Sequence, residues 1–142
     1  MLPTLEDEGE FAGWKTWKNE AFEHISAGPF YFTEDEKGAR CAFRVRPKHL
    51  NAGGVVHGGC MMTFADYALF AIAHNDMNGL HGVTVSFAAE FIRGPVVGDL
   101  VEARGEVLRA GGSLVFVRGI ISVDGNICLN FSGTIKKLRR RI

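Results

Sequence analysis

The sequence predicts an α+β fold in which a curved antiparallel sheet wraps around one long central helix. The stretch from Gly59 to about His74 is apolar on nearly every helical face, which is typical of a buried helix. From Gly82 onward the apolar pattern changes to a period of two or to continuous runs, which indicates strands. The chain has 142 residues, the size of one domain, so this same domain must cover the helix. A twisted sheet curling around the helix is the simplest arrangement that does so.

The N-terminal region predicts an acidic tail followed by a helix. Residues 1–10 carry four acids and no base, a pattern foreign to signal and transit peptides. Apolar residues then recur at steps of three and four, which predicts an amphipathic helix over Phe11–Ile25 that ends at Ala27-Gly28-Pro29. We therefore expect a single domain over residues 1–142, with an N-terminal region of residues 1–26 and a core of residues 30–138.

Strand and turn patterns predict the remaining elements. Two strands, Phe30–Thr33 and Ala39–Val45, precede the long helix, and a glycine-bearing loop at residues 47–56 leads into it. Four strands follow the helix, with expected ranges Gly82–Ile92, Leu100–Arg109, Ser113–Val123 and Asn126–Leu138. Their connectors look like hairpin loops, so we expect these four strands to form an antiparallel meander.

Composition excludes several classes of protein. Sixteen Lys and Arg balance sixteen Asp and Glu, so the chain lacks the basic surplus of nucleic-acid-binding proteins. The longest uncharged stretch, Leu50–Ala65, is glycine-rich and too short to span a bilayer. The three cysteines match no zinc pattern, and the histidines form no ligand cluster with them. We expect a cytoplasmic, reduced protein that needs no metal or cofactor and binds neither nucleic acid nor membrane.

Asp66 is the one acid in the predicted buried helix. Its neighbours one turn away are mostly apolar, and the sequence has no Lys or Arg between Lys48 and Arg93. Desolvating a carboxylate costs free energy, so an unpaired acid here needs an explanation. One explanation is a structural Asp that accepts hydrogen bonds from the backbone or a hydroxyl. The other is a nucleophile or general base in a pocket.

A glycine-rich loop, from Asn51 to Gly59, leads directly into this helix. Unpaired N–H groups at a helix N-terminus can hold a carbonyl oxygen that becomes negative during acyl transfer. The simpler interpretation, which we prefer for Gly53-Gly54, is a tight turn that starts the helix. Cys60 and His57 also allow a Cys–His hydrolase, although free cysteines are more often small buried hydrophobes.

These residues together resemble the hotdog-fold thioesterases, in particular their PaaI-type and thioesterase superfamily member 2-like branch. The resemblance is carried by Asn51, His57-Gly58-Gly59, Asp66 and Gly82-Val83-Thr84, and it extends to the stretches 91–95 and 107–116. It covers about residues 30–138. Members of this family consist of a long helix wrapped by an antiparallel sheet, form dimers and often tetramers, and hydrolyse acyl-CoA thioesters.

The resemblance implies a role for each matching residue. The backbone N–H of Gly58 would polarise the thioester carbonyl, with His57 and Asn51 supporting that end of the site and the leaving thiol. Asp66 would act as nucleophile or as general base, and Thr84 would orient the attacking water. The residues expected to contact CoA are Ser86, Phe91, Arg93, Arg109, Gly111, Gly112, Ser113, Leu114 and Lys137.

Helix geometry adds that one chain cannot complete this site. Asp66 lies seven or eight residues into the helix, roughly 11–12 Å along its axis, and cannot reach a carbonyl held at the N-terminus of its own helix. In a two-fold dimer, Asp66 would serve the Gly58 end of the other chain. Together with this geometry, the resemblance implies a homo-oligomeric hydrolase of aryl- or medium- to long-chain acyl-CoA. The alternative is a non-catalytic acyl-CoA-binding module or sensor, which would gain nothing from the cost of Asp66.

Overall fold

The computed structural model describes residues 2–141, which form one eight-stranded antiparallel sheet and two α-helices. The strands are β1 (Thr4–Leu5), β2 (Lys15–Thr16), β3 (Tyr31–Asp35), β4 (Gly38–Arg44), β5 (Leu80–Phe91), β6 (Leu100–Ala110), β7 (Leu114–Val123) and β8 (Asn126–Arg141). The helices are α1 (Phe22–Ile25) and α2 (Gly58–Ile72). Across the sheet, the strand order is β1-β2-β3-β4-β6-β7-β8-β5.

Helix α2 packs into the sheet, and this contact is the hydrophobic core. The rings of Phe30, Phe43 and Phe64 meet at centroid distances of 4.8–5.1 Å, and all three are buried. On β8, a Cβ added at Gly133 would lie 2.5 Å from Leu69 of α2, so only glycine allows the helix this close to the sheet. The prediction of a central helix wrapped by an antiparallel sheet is confirmed.

One face of α2 is not covered by the chain itself. Met61, Phe64 and Leu69 are buried against the sheet, whereas Met62 is 38% exposed and Asp66 is half-buried. The helix is therefore apolar nearly all round but buried on only part of its surface, and Asp66 lies on the face that the sheet leaves open.

The helix predicted over Phe11–Ile25 is wrong except for its last turn, which is α1. The rest of this segment forms β2 and irregular structure. Gly13 has φ +87°, which is incompatible with a right-handed helix, and Lys15 pairs with Phe32 of β3. The Thr16 hydroxyl also donates to the carbonyl of Phe30 at 2.8 Å. The three- and four-residue spacing of apolar side chains therefore belongs to a short strand and the loops around it.

The predicted hairpin between the first and second strands after α2 is also wrong. Strand β5 pairs only with β8, and β6 lies beside β4, so residues 92–99 cross from one part of the sheet to another. Their backbone is held by other partners: Arg93 donates to Cys128, and Gly98 donates to Val45. The meander prediction is confirmed for β6, β7 and β8, which are consecutive hairpins.

Within the part of the chain that the structure describes, no helix has the length and apolarity needed to cross a membrane.

Candidate active site

An open groove of about 1080 Å³ runs along the uncovered face of α2. Three parts of the chain line it: α2, the strand β5 with the turn before it, and the N-terminal segment. Its apolar lining includes Met62, Phe70, Phe87, Trp17 and Phe22. Asp66 is also part of this lining, so its carboxyl group is accessible from an otherwise largely apolar space.

Among the described residues, the Asp66 side chain is hydrogen-bonded to that of Thr84. The Thr84 hydroxyl donates to Oδ1 of Asp66 at 2.6 Å. Thr84 lies on β5 next to a shift in the pairing register with β8, between Thr84 and Ser86. The contact between Asp66 and Thr84 therefore forms within one chain, and it joins the middle of α2 to the free edge of the sheet.

The environment of Asp66 favours its protonated form. Burial raises the pKa of the Asp66 carboxyl above its ordinary value, the hydrogen bond from Thr84 opposes that rise, and the negative charge of Glu23 on α1 adds to it. A raised pKa makes the carboxylate a stronger base, and such carboxyl groups are frequent in active sites.

The N-terminus of α2 is built by His57 and Gly58. His57 is the N-cap, and its Nδ1 accepts the backbone N–H of Gly59 at 2.8 Å. Gly58 is the first residue of α2, so its backbone N–H is one of the four N–H groups that have no acceptor within a helix. A Cβ added at Gly58 would lie 3.3 Å from the ring of Phe91, so Phe91 covers this helix end.

Asn51 holds the loop that precedes α2. Its Oδ1 accepts the N–H groups of Gly53 at 2.9 Å and Val55 at 3.3 Å, and its own N–H donates to the carbonyl of Val55. Gly54 has φ +86°, which glycine adopts without strain. Asn51 is exposed, so its amide NH₂ group remains accessible to a ligand.

A single chain does not bring the Asp66 carboxyl group and the backbone N–H of Gly58 together. The groove is lined by Asp66 but not by Asn51, His57 or Gly58. Eight residues separate Gly58 from Asp66 in one continuous helix, about 12 Å along its axis. The Asp66–Thr84 pair and the Gly58 end are therefore separate parts of the chain.

The turn between β6 and β7 is tied to β8 by Lys137. Lys137 is only 7% exposed, its ammonium donates to the carbonyl of Gly111 at 3.1 Å, and its backbone N–H donates to the carbonyl of Ser113 at 2.8 Å. The N–H of Gly111 closes the turn on the carbonyl of Leu114 at 2.8 Å. Gly112 and Ser113 are exposed at its tip. Lys137 therefore stabilises this turn through hydrogen bonds from β8.

The other residues expected at CoA are exposed. Ser86 follows the register shift on β5, and Phe91 is 56% exposed at the end of the same strand. Arg93 lies on the crossover segment, and Arg109 lies at a register shift between β6 and β7. Neither arginine has a carboxylate partner among the described ion pairs.

Residues of the N-terminal segment were missed as part of the groove. Trp17, Phe22 and Glu23 line it, although the sequence predicted only an amphipathic helix over this segment. Gly13, the third residue of the predicted helix, was the sequence signal against helix at this position, and the structure places it at φ +87°.

A cysteine nucleophile and a bound metal ion both find little support in the described residues. Burial raises the pKa of the Cys60 thiol to about 11, which leaves it protonated at neutral pH. Across residues 2–141, no group of three or more His, Cys, Asp or Glu side chains is arranged to hold a metal ion.

Comparison with known proteins gives a consistent result. A family model described as the thioesterase superfamily matches residues 53–128. A Pseudomonas aeruginosa protein named as a putative esterase is 31% identical over 108 residues, which are 75% of this chain and 81% of the relative.

Solved structures share the fold. The Escherichia coli PaaI protein from the phenylacetic acid degradation operon superposes with a TM-score of 0.74 at 22% identity, covering 87% of this chain and 88% of that one. A Streptococcus mutans protein bound to acetyl-CoA has a TM-score of 0.73 at 21% identity, covering 87% of this chain and 100% of that one.

Proposed function

The chain belongs to the thioesterase superfamily and is a thioester hydrolase, and from this premise we propose that its substrates are acyl-CoA thioesters and that Asp66 performs the chemistry. The observation that carries the proposal is the half-buried Asp66 carboxyl, which is bonded to the Thr84 hydroxyl and open to an apolar groove. An apolar groove suits an acyl group, and the carboxylate is available to the thioester carbon.

Asp66 acts as a general base or as a nucleophile. As a base, its carboxylate takes a proton from water while the water oxygen bonds to the thioester carbon, and the carbonyl electron pair moves onto oxygen. Collapse of this intermediate breaks the C–S bond, and the proton held by Asp66 passes to the leaving thiolate. As a nucleophile, Asp66 itself displaces the thiolate to give an acyl anhydride, which water then hydrolyses. Thr84 orients the attacking water and, through its hydrogen bond, the carboxylate.

The oxyanion is stabilised by the backbone N–H of Gly58 from the second chain of a dimer. This N–H is unpaired at a helix N-terminus, where the helix dipole also favours negative charge. The 12 Å or so that separate Asp66 from Gly58 along one helix require the two groups to come from different chains. His57 and Asn51 support this end of the site and the leaving thiol.

A dimer is the smallest assembly that contains a complete site, and we expect two dimers to form a tetramer. Strand β5 is an edge of the sheet, and it presents Val83 and Val85 at 43% and 54% exposure. Proteins rarely leave a long apolar edge strand uncovered. Pairing two β5 edges would cover it and bring the two α2 helices side by side. Sedimentation of a fully active 15.5 kDa monomer would contradict this.

CoA contacts two exposed arginines, Arg93 and Arg109, and the turn between β6 and β7. Arg93 and Arg109 are both exposed, and arginine binds phosphate groups in bidentate fashion. The exposed tip at Gly112 and Ser113 offers polar backbone, and Lys137 acts by holding that turn. Ser86 and Phe91 lie towards the pantetheine arm. Acetyl-CoA bound to the related Streptococcus mutans protein supports this choice of substrate.

Thiol release from a panel of aryl- and alkyl-acyl-CoA thioesters tests the function. Asp66→Asn should lower turnover by about 10²–10⁴-fold, which is the usual contribution of a general acid or base. Asp124→Asn is the matched control: Asp124 lies at φ +49° in the β7–β8 turn, and asparagine also tolerates that conformation. Full turnover in Asp66→Asn, or equal loss in both variants, would contradict the assignment.

A further inference from the structure

The groove has a wall that lies outside the part of the chain matched by the family model. That match begins at residue 53, whereas Trp17, Phe22 and Glu23 line the groove from the N-terminal segment. Among these, Trp17 has the largest apolar side chain. It is half-buried, so part of the indole ring faces the groove and part is packed against the protein.

Trp17 is held firmly in place. The preceding residue, Thr16, is 1% exposed, and its hydroxyl donates to the carbonyl of Phe30 at 2.8 Å. The Trp17 ring stacks on Phe32 of β3 with centroids 4.8 Å apart and an interplanar angle of 24°. Displacing this ring would break its aromatic stacking on Phe32, so it forms a fixed wall.

Trp17 lies beside α2 and is closer than Asp66 to the C-terminal end of that helix. Its ring contacts Tyr67, the residue after Asp66, at 5.3 Å and His74 at 6.1 Å. His74 lies two residues beyond Ile72, where α2 ends. An acyl group that extends from a carbonyl at Asp66 towards the C-terminal end of α2 therefore runs along Trp17.

We propose that Trp17 limits the size of the acyl group that the enzyme accepts. The proposal rests on the function proposed above, and it makes Trp17 a specificity-determining residue. A short acyl chain packs between the indole ring and the groove face of α2. A longer chain must displace a ring that is stacked on Phe32, so it binds less tightly as its length increases.

Acyl-chain preference tests this directly. In Trp17→Ala, the ratio of kcat/KM for C12–C16 acyl-CoA to that for C4 acyl-CoA should rise at least tenfold. Each newly buried methylene contributes about fourfold to binding, so room for two or more suffices. Trp14→Ala is the matched control, because Trp14 packs on Phe11 at 5.3 Å and beneath Arg40 without lining the groove. An unchanged ratio in Trp17→Ala, or the same rise in Trp14→Ala, overturns the proposal.

A milder substitution covers the case in which Trp17→Ala does not fold. Trp17→Phe keeps a ring on Phe32 but shortens it, and we expect a smaller rise in the same ratio with a thermal midpoint close to wild type. If a folded Trp17→Phe variant has the wild-type preference, the proposal fails.

Fluorescence tests the same inference without turnover. The chain has two tryptophans, so Trp14→Phe leaves Trp17 as the only one. Titration with octanoate, a free acid product, should change its emission with saturation, whereas Trp17→Phe, which retains Trp14, should show no change. Absence of a change at Trp17 overturns the inference. If wild type hydrolyses no thioester while octanoate still changes the Trp17 signal, the proposed function fails and the acyl-binding role of Trp17 stands.

Discussion

Replacing Thr84 by valine removes one hydroxyl group and leaves the shape of the side chain almost unchanged. In the native protein, that hydroxyl donates to the Asp66 carboxylate at 2.6 Å and holds the pKa of Asp66 below the level that burial alone would set. Its loss raises the pKa of Asp66 further, so a larger fraction of the enzyme has a protonated, inactive carboxyl group in mildly acidic solution. We expect Thr84→Val to move the acidic limb of the kcat/KM profile to higher pH.

The size of the effect follows from the hydrogen bond. A hydrogen bond to a charged group contributes about 1.5–3 kcal/mol, and the half-burial of Asp66 argues for the lower end of this range. About 1.4 kcal/mol corresponds to a tenfold change in an equilibrium constant, so Thr84→Val should lose roughly tenfold more activity on the acidic limb than on the alkaline plateau. Any loss on the plateau reports the separate role of Thr84 in orienting water.

The assay is thiol release from one acyl-CoA thioester between pH 5 and pH 9. Thr84→Ser is the matched control, because it keeps the hydroxyl and should retain the wild-type acidic limb. A Thr84→Val profile that superposes on wild type after scaling would show that the hydrogen bond does not control the base, and our reasoning about Asp66 would be wrong.

Three further outcomes are expected. Because burial raises the pKa of Asp66 in the folded state, ionisation costs stability as pH rises, so Asp66→Asn should raise the thermal midpoint at pH 7–8; an unchanged or lower midpoint would contradict this. Burial lowers the pKa of His49, whose Nε2 bonds the carbonyl of Ala27 and whose Nδ1 accepts the N–H of Arg46. Stability from this neutral ring is complete above the unfolded pKa of about 6.5 and falls at lower pH, so the free energy of unfolding by urea should decrease between pH 7 and pH 5 by more in wild type than in His49→Gln. Burial keeps the Cys60 thiol protonated, and Cys60→Ala should therefore retain turnover; its loss would support cysteine chemistry instead.

The core of the fold could be predicted because its signals are local and redundant. Helix α2 is apolar over four turns, and the three hairpin strands β6, β7 and β8 carry clear alternation and turn residues. The partner of β5 could not be predicted, because the connector at residues 92–99 is long enough for either a hairpin or a crossover. In the structure, β5 pairs with β8, a partner distant in sequence, which no local pattern indicates.

The candidate site could be predicted only in part. The resemblance named both Asp66 and Thr84 as site residues, and the structure adds the hydrogen bond between them at 2.6 Å. Trp17 was missed because its spacing with other aromatic residues matched a helix. In the structure its backbone follows directly on the short strand β2, whose pairing with β3 involves residues distant in sequence. Single-sequence periodicity does not register such contacts.

In the proposed mechanism, each active site combines Asp66 of one chain with the backbone N–H of Gly58 of another. Gly58→Pro removes the proposed oxyanion donor with little effect on the helix, because proline is favoured at the first helical position and His57, with ψ 134°, already has the conformation that precedes proline. Gly58→Ala keeps the N–H and is the control for the added Cβ, which would lie 3.3 Å from the exposed ring of Phe91.

The most direct test is to mix Asp66→Asn and Gly58→Pro subunits, unfold them together and refold them. In a mixed dimer, one site carries both substitutions and the other carries neither. Random pairing gives about half mixed dimers with one intact site each, so activity should recover to roughly a quarter of wild type although each variant alone is inactive. If mixed dimers form, as native mass spectrometry would verify, and activity does not recover, then both groups serve a site within one chain and the account is wrong.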